Sequence, residues 1–250
     1  MRYGKPVDDV TISLQTVISG VAFCPHPPAL IPAVAQRATA EFEDLLTQCD
    51  RAITDVRSTR PDRLVLLGSG PRSREYPPSA WGSLAGFGVP VEVHLAPGGD
   101  SADRLPLSLT VGAWLINRAL GPRSGAIGFA VGPDFFESRV AGQLDGAIDE
   151  RVGLIVMGDG TARRSRAAPG YWDKRAEGFD AAVLAALAAG DSAALAALNL
   201  QLAAELLCAG APAWVAAGVL LSGVRMDAEV LYAEVPFGVQ YIVAGWSARG

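Results

Sequence analysis

Histidine is nearly absent from this chain: 250 residues carry two, His26 and His94, alongside three cysteines. The cysteines Cys24, Cys49 and Cys208 form neither an even framework nor a CxxC pair, which excludes a disulfide scaffold and predicts a reducing cytoplasm. Positive charge is also in short supply. A net charge of −5 offers no general electrostatic basis for binding nucleic acid or an anionic membrane surface. Long hydrophobic runs are missing: the first apolar stretch, Val17 to Phe23, is too short for a membrane span, and no small residue precedes Cys24 as an export cleavage site prefers. Linker-like segments and internal repeats are absent too, so residues 17–250 are expected to form one domain behind a polar N-terminal extension, residues 1–16.

What is present begins with Cys24-Pro25-His26-Pro27-Pro28, directly after that apolar stretch. Proline fixes φ and biases its predecessor toward extended geometry, so His26 stands on a stiff segment leaving a buried strand. Such a restrained imidazole is either part of a site or a structural hydrogen-bonding group. His94 differs. Val89, Val91, Val93 and Leu95 alternate with Glu92 and His94, which places His94 on the solvated face of a strand.

The rest of the chain alternates short apolar runs with helical periods. Val34, Ala38, Phe42, Leu45, Cys49, Ile53 and Val56 recur every three or four residues and predict one long helix with Cys49 on its buried stripe. Runs at Leu64–Leu67, Ala126–Val131 and Leu154–Met157 have the continuous character of doubly covered strands. Residues 179–210, rich in alanine and leucine, keep a helical period, with Asp191-Ser192 placed to cap a new helix after Gly190. Two closing strands follow around residues 234–237. The expected fold is α/β: a central mixed, largely parallel sheet flanked by helices on both faces.

Three predicted loops follow strands: Cys24 to Pro28, Gly68 to Arg74, and Gly158 to Arg166. Ligand sites of α/β sheets gather at the carboxyl ends of strands, so the three are expected to share a crevice. Arg72, Arg74, Arg163, Arg164 and Arg166 either make that crevice attractive to a carboxylate or phosphate or stand as a solvated cluster. Gly68-Ser69-Gly70-Pro71 lacks the ending of a phosphate loop and the GxGxxG spacing, and the chain has neither GxSxG nor HExxH.

The Pro-His motif after the first strand, the Gly-Pro-type turn after the second and Gly158-Asp159-Gly160-Thr161 after a middle strand are joined by Cys208-Ala209-Gly210-Ala211-Pro212-Ala213-Trp214. In these features the chain resembles the class III extradiol dioxygenase superfamily, the group of the protocatechuate 4,5-dioxygenase beta subunit (LigB), including its Memo-like branch. The similarity runs from about Val17 to Trp246. It implies an oxidoreductase cleft in which two histidines and a carboxylate hold non-haem Fe(II), a further histidine moves protons, and subunits often pair as homodimers.

Matched residue by residue, the first metal histidine falls on His26. The second has no counterpart near Ser69-Gly70-Pro71-Arg72, the acid-base histidine falls on Ala162, and the carboxylate ligand falls on Cys208. The resemblance therefore leaves His26 and Cys208 as metal ligands for Fe(II) or zinc, with Glu234 or Glu205 as third, or else no metal at all. Cys208 as a plain core thiol is the alternative. The remaining pocket residues are expected to be Ser69, Arg72, Asp159, Thr161 and Arg163. Two functions follow: a pseudoenzyme that holds a small anionic or aromatic molecule or a partner in the old cleft, or an active extradiol dioxygenase acting on an aromatic diol.

Overall fold

The structure, a computed structural model, describes residues 17–96, 101–122, 125–133 and 150–249. The expected N-terminal extension, residues 1–16, lies outside the described residues. In chain order the strands are β1 (Val17–Cys24), β2 (Arg63–Ser69), β3 (Arg74–Tyr76), β4 (Trp81–Ser83), β5 (Glu92–His94), β6 (Ala126–Val131), β7 (Arg151–Met157), β8 (Met226–Glu234) and β9 (Tyr241–Ala248). The α-helices among the described residues are α1 (Pro32–Ala35), α2 (Glu43–Ser58), α3 (Leu107–Leu120), α4 (Ala176–Ala189), α5 (Ser192–Ala196), α6 (Leu200–Glu205) and α7 (Ala211–Leu220).

Seven strands form one mixed sheet in the order β3-β6-β2-β7-β1-β9-β8. The four central strands β6, β2, β7 and β1 are parallel, and β3, β9 and β8 join antiparallel. Their near-continuous apolar sequences follow from burial on both faces. Ala22, Cys24, Leu64 and Leu66 enter the core beneath α2 and α3, while Val21, Phe23, Val65 and Leu67 enter the core beneath α4 and α7. On the second face Phe23 meets Trp246 edge to face, with ring centroids 4.9 Å apart. The α/β architecture read from the sequence is the one observed.

Two local expectations change. The stripe from Val34 to Val56 does not lie on one helix: Gln36 takes a left-handed φ of 51°, 3-10 geometry runs over Gln36–Phe42, and α2 begins at Glu43. The break turns Phe42 into the core and against Phe237, 5.8 Å between rings, while Cys49 is fully buried as expected. The alternating run at Val89–Leu95 yields only the three-residue β5, paired with β4 in a separate small sheet. There His94 is half-buried and stacked on Trp81 at 6.4 Å, its Nδ1 buried, while Glu92 on the same face is exposed, so that face is covered at His94 and solvated at Glu92.

Because β1, β2, β6 and β7 are parallel, their carboxyl ends share one edge of the sheet. Antiparallel pairing brings the β8–β9 connection, residues 235–240, to that same edge. This arrangement positions the candidate site.

Candidate functional site

Asp159 stands at the centre of the edge. The β1–β7 ladder continues past both strands through Gly158 N–H donating to the Cys24 carbonyl at 2.8 Å, which sets Asp159 beside His26. The Asp159 carboxylate accepts the His26 backbone N–H at 2.7 Å, and its carbonyl accepts the Gly210 N–H at 2.8 Å and the Cys208 thiol at 3.4 Å. This packing needs two glycines: a Cβ on Gly158 would lie 2.7 Å from Gly210 Cα, and one on Gly210 would lie 2.6 Å from Gly158 Cα. The sequence thus joins the loop after β7 to the start of α7 backbone against backbone.

The His26 side chain is 7% exposed. Its Nδ1 lies 3.7 Å from Asp159 Oδ1, beyond hydrogen-bond length, and has no hydrogen-bond partner among the described residues. Burial lifts the Asp159 carboxyl above its ordinary range, opposed by the charge of His26 and by its backbone N–H. Burial also pushes the Cys208 thiol far up, and the negative charge of Asp180 adds to the effect. Cys208 is therefore a protonated thiol, not a thiolate.

Thr161 and the arginines serve a second network. Asp180, on α4, accepts the Thr161 backbone N–H at 2.9 Å, the Thr161 hydroxyl at 2.7 Å and Arg164 at 3.1 Å. Arg164 also reaches the Gln240 side-chain oxygen at 3.1 Å, and Gln240 exchanges backbone hydrogen bonds with Gly160 and Thr161. Arg163 donates to the Gly170 carbonyl, and Arg74 pairs with Asp103. Three of the five arginines are thus engaged within the protein, whereas Arg72 and Arg166 are exposed and make no ion pair among the described residues. Ser69 donates to the Ala209 carbonyl at 2.6 Å, tying the end of β2 to the approach to α7. Ala162 presents no titratable group, and its N–H donates to the Leu206 carbonyl at 3.2 Å.

The donor set does not fit a metal centre. A bound ion requires neighbouring deprotonated ligands. The Cys208 sulfur faces the Asp159 carbonyl at 3.4 Å, Glu205 is bound to Arg175 at 2.7 Å, and Glu234 is exposed. Among the described residues no group of three or more His, Cys, Asp or Glu side chains is placed to hold an ion.

Beside this cluster a cavity of about 400 Å³ opens between the ends of β2 and β6 and helices α6 and α7. Its walls include Val131, Leu200, Ala203, Ala204 and Pro212, with Ser69, Gly70 and Cys208 on one side. Around the same edge, Tyr171, Leu207 and Phe237 all have positive φ, at 63°, 55° and 57°, and all three are exposed. Such backbone costs a bulky residue about 1–3 kcal/mol.

The sequence named His26, Ser69, Asp159, Thr161, Arg163 and Cys208, and the structure gathers them at one edge. Asp180 and Gln240 went unnamed. Asp180 carried a readable signal, a lone acid on the buried helical stripe Ala176, Asp180, Val183 and Leu187, while Gln240 carried none.

Taken together, the sheet order and these loops define an α/β protein with a crevice at the carboxyl edge of its parallel strands. Its fold is similar to the crystal structure of uncharacterized protein JW3007 from Escherichia coli K12, with a TM-score of 0.54 and 12% identity over 92% of this chain and 100% of that one. At that identity the likeness shows the fold alone. No protein-family model matches the chain, and no curated protein sequence does.

Proposed function

We propose that this chain is a binding protein on an extradiol-dioxygenase-like fold, holding a small aromatic anion at the carboxyl edge and no longer cleaving rings by the metal route. The observation that carries this reading is the cavity of about 400 Å³, walled by aliphatic side chains and of a size that suits one aromatic ring. Its polar side is Ser69 and Gly70, and exposed Arg72 follows two residues later with its guanidinium uncommitted among the described residues. The loss of ring cleavage is supported by Ala162 at the position the resemblance gives to the proton-moving histidine, and by the poor fit of His26 and Cys208 to an ion. Alanine cannot transfer a proton.

The test is thermal-shift titration of the full chain with benzoate, phenylacetate and protocatechuate. Saturating ligand at about a hundred times Kd stabilises by about 2.7 kcal/mol, read as a rise of several degrees in Tm. Arg72→Ala should weaken binding about tenfold or more, and Ala204→Phe, at an exposed position of the cavity wall, should block it. No shift with any of the three, or variants that bind like the wild type, would count against the proposal. Oxygen uptake with catechols after anaerobic Fe(II) loading would replace it with the ring-cleaving alternative.

A further inference from the structure

A second cavity, of about 350 Å³, opens between the last turns of α2 and strands β8 and β9. Gly20 of β1 pairs with Ser247 of β9, and the Ser19 hydroxyl shares a hydrogen bond of 2.8 Å with that of Thr59 at the end of α2. The cavity therefore lies toward the amino-terminal end of β1, away from the crevice at the carboxyl edge. Ala52, Val56 and Leu231 supply its apolar lining. One residue keeps it open. Gly245 sits on β9 between Ala22 of β1 and Glu229 of β8, and a Cβ built on it would meet nothing within 4 Å. Gly20, by contrast, is held small by Thr59, whose Cγ2 would lie 3.1 Å from such an atom. Glycine inside a strand weakens it and often marks a place where another molecule comes close. At Gly245 no described residue uses the space.

Charge indicates what would use it. Among the described lining residues the ionisable side chains are Asp55, Asp227 and Glu229, all carboxylates. From outside the lining Arg51 pairs with Glu229 at 2.8 Å and Arg249 with Asp227 at 2.6 Å, while Asp55 has a longer contact with Arg51, 3.8 Å. Helix α2, 16 residues long, ends at Ser58, a lining residue, so the negative end of its dipole lies at the same place. Carboxylates and a helix C-terminus around an apolar hollow favour a cation that brings an apolar body with it.

We infer that this cavity binds a small organic cation, a primary amine carried on one ring or a short chain. The ammonium lies among Asp55, Asp227 and Glu229, and the apolar body lies over Gly245 against Ala52 and Val56. A volume of about 350 Å³ is at the low end for ligand pockets and takes one ring with a short arm. The site is independent of the one proposed above, which takes the opposite charge at another edge.

The experiment is calorimetric titration of the full chain with phenethylamine, with its uncharged counterpart phenylethyl alcohol, and with benzoate. The amine should bind at least about tenfold more tightly than the alcohol, and the advantage should shrink at about 0.5 M salt. Asp55→Asn should weaken the amine about three- to tenfold and leave the alcohol unchanged. Gly245→Leu should abolish amine binding while Tm holds or rises, because the new side chain enters open space beside apolar neighbours. Should that variant fail to fold, Ser247→Trp at the exposed rim blocks the same cavity. Absence of amine binding, equal affinity for amine and alcohol, or blocked variants that bind like the wild type would overturn the proposal. A lower oligomeric mass in Gly245→Leu, with no amine bound by the wild type, would show the hollow to be a contact between copies and would overturn it equally. Benzoate, sensitive to Arg72→Ala and not to Gly245→Leu, reports on the carboxyl-edge cavity, so either site can fail alone.

Discussion

Asp180 shows how one side chain can govern a loop without standing in the cleft. It is 2% exposed, and burial raises its carboxyl above 3.8, opposed by the two Thr161 bonds and then by Arg164. The native state therefore keeps this proton to a higher pH than the unfolded chain. Between 3.8 and the raised native value the folded protein binds more protons, so this group's contribution to stability falls as pH rises and then levels off. Asp180→Asn should remove that slope and, near neutral pH, lower stability by about 2 kcal/mol by leaving Arg164 with one partner fewer. Urea denaturation of both proteins from acid to neutral pH measures the difference; parallel curves would contradict it. At this scale the sequence was legible where a residue is rare or restrained, as with His26 between prolines. It was illegible where a common residue acquires its role from a distant segment: nothing local marks Gln240, and nothing local commits Arg163 and Arg164 to Gly170 and Asp180.

Among the elements, β8 has the most exposed situation. It is a nine-residue edge strand with no neighbour beyond it in the sheet among the described residues. Edge strands invite pairing with other chains unless charge or irregularity blocks it. Here Asp227, Glu229 and Glu234 supply the charge, and a register shift between Val230 and Tyr232 disturbs the ladder. Asp227 and Glu229 also pair with Arg249 and Arg51 on exposed surface, contacts that contribute about 0–1 kcal/mol each. The double variant Asp227→Val, Glu229→Val should lose little stability yet form larger species as concentration rises, visible by size exclusion with light scattering. An unchanged mass would show that the bulge alone guards the edge. Continuous apolar runs and cap residues made most of the strands and the start of α5 readable in advance. The break before α2 was not, since it depends on Gln36 leaving helical space so that Phe42 can dock.

Taken as a whole, the described residues pack two apolar cores on the two faces of the seven-stranded sheet. Alternate residues of β1, β2 and β7 point to opposite faces, so neither core can be lost without the strands that carry the other. Phe23→Ala on one face and Leu66→Ala on the other should each cost about 3–4 kcal/mol and lower the same transition. Near- and far-ultraviolet circular dichroism should melt together in both variants; separate melting would show two independent units. The α/β class was legible because doubly covered strands have a distinctive composition, whereas strand order depends on pairings between residues far apart in the chain. One of those pairings has an evolutionary corollary. The connection between β8 and β9 is the tip of a C-terminal hairpin, yet Gln240 is stitched to Gly160, Thr161 and Arg164. A change at Pro236 or Phe237 therefore reaches the loop after β7 directly while the four parallel strands stay as they are, so the end of the chain and its middle are bound to vary together.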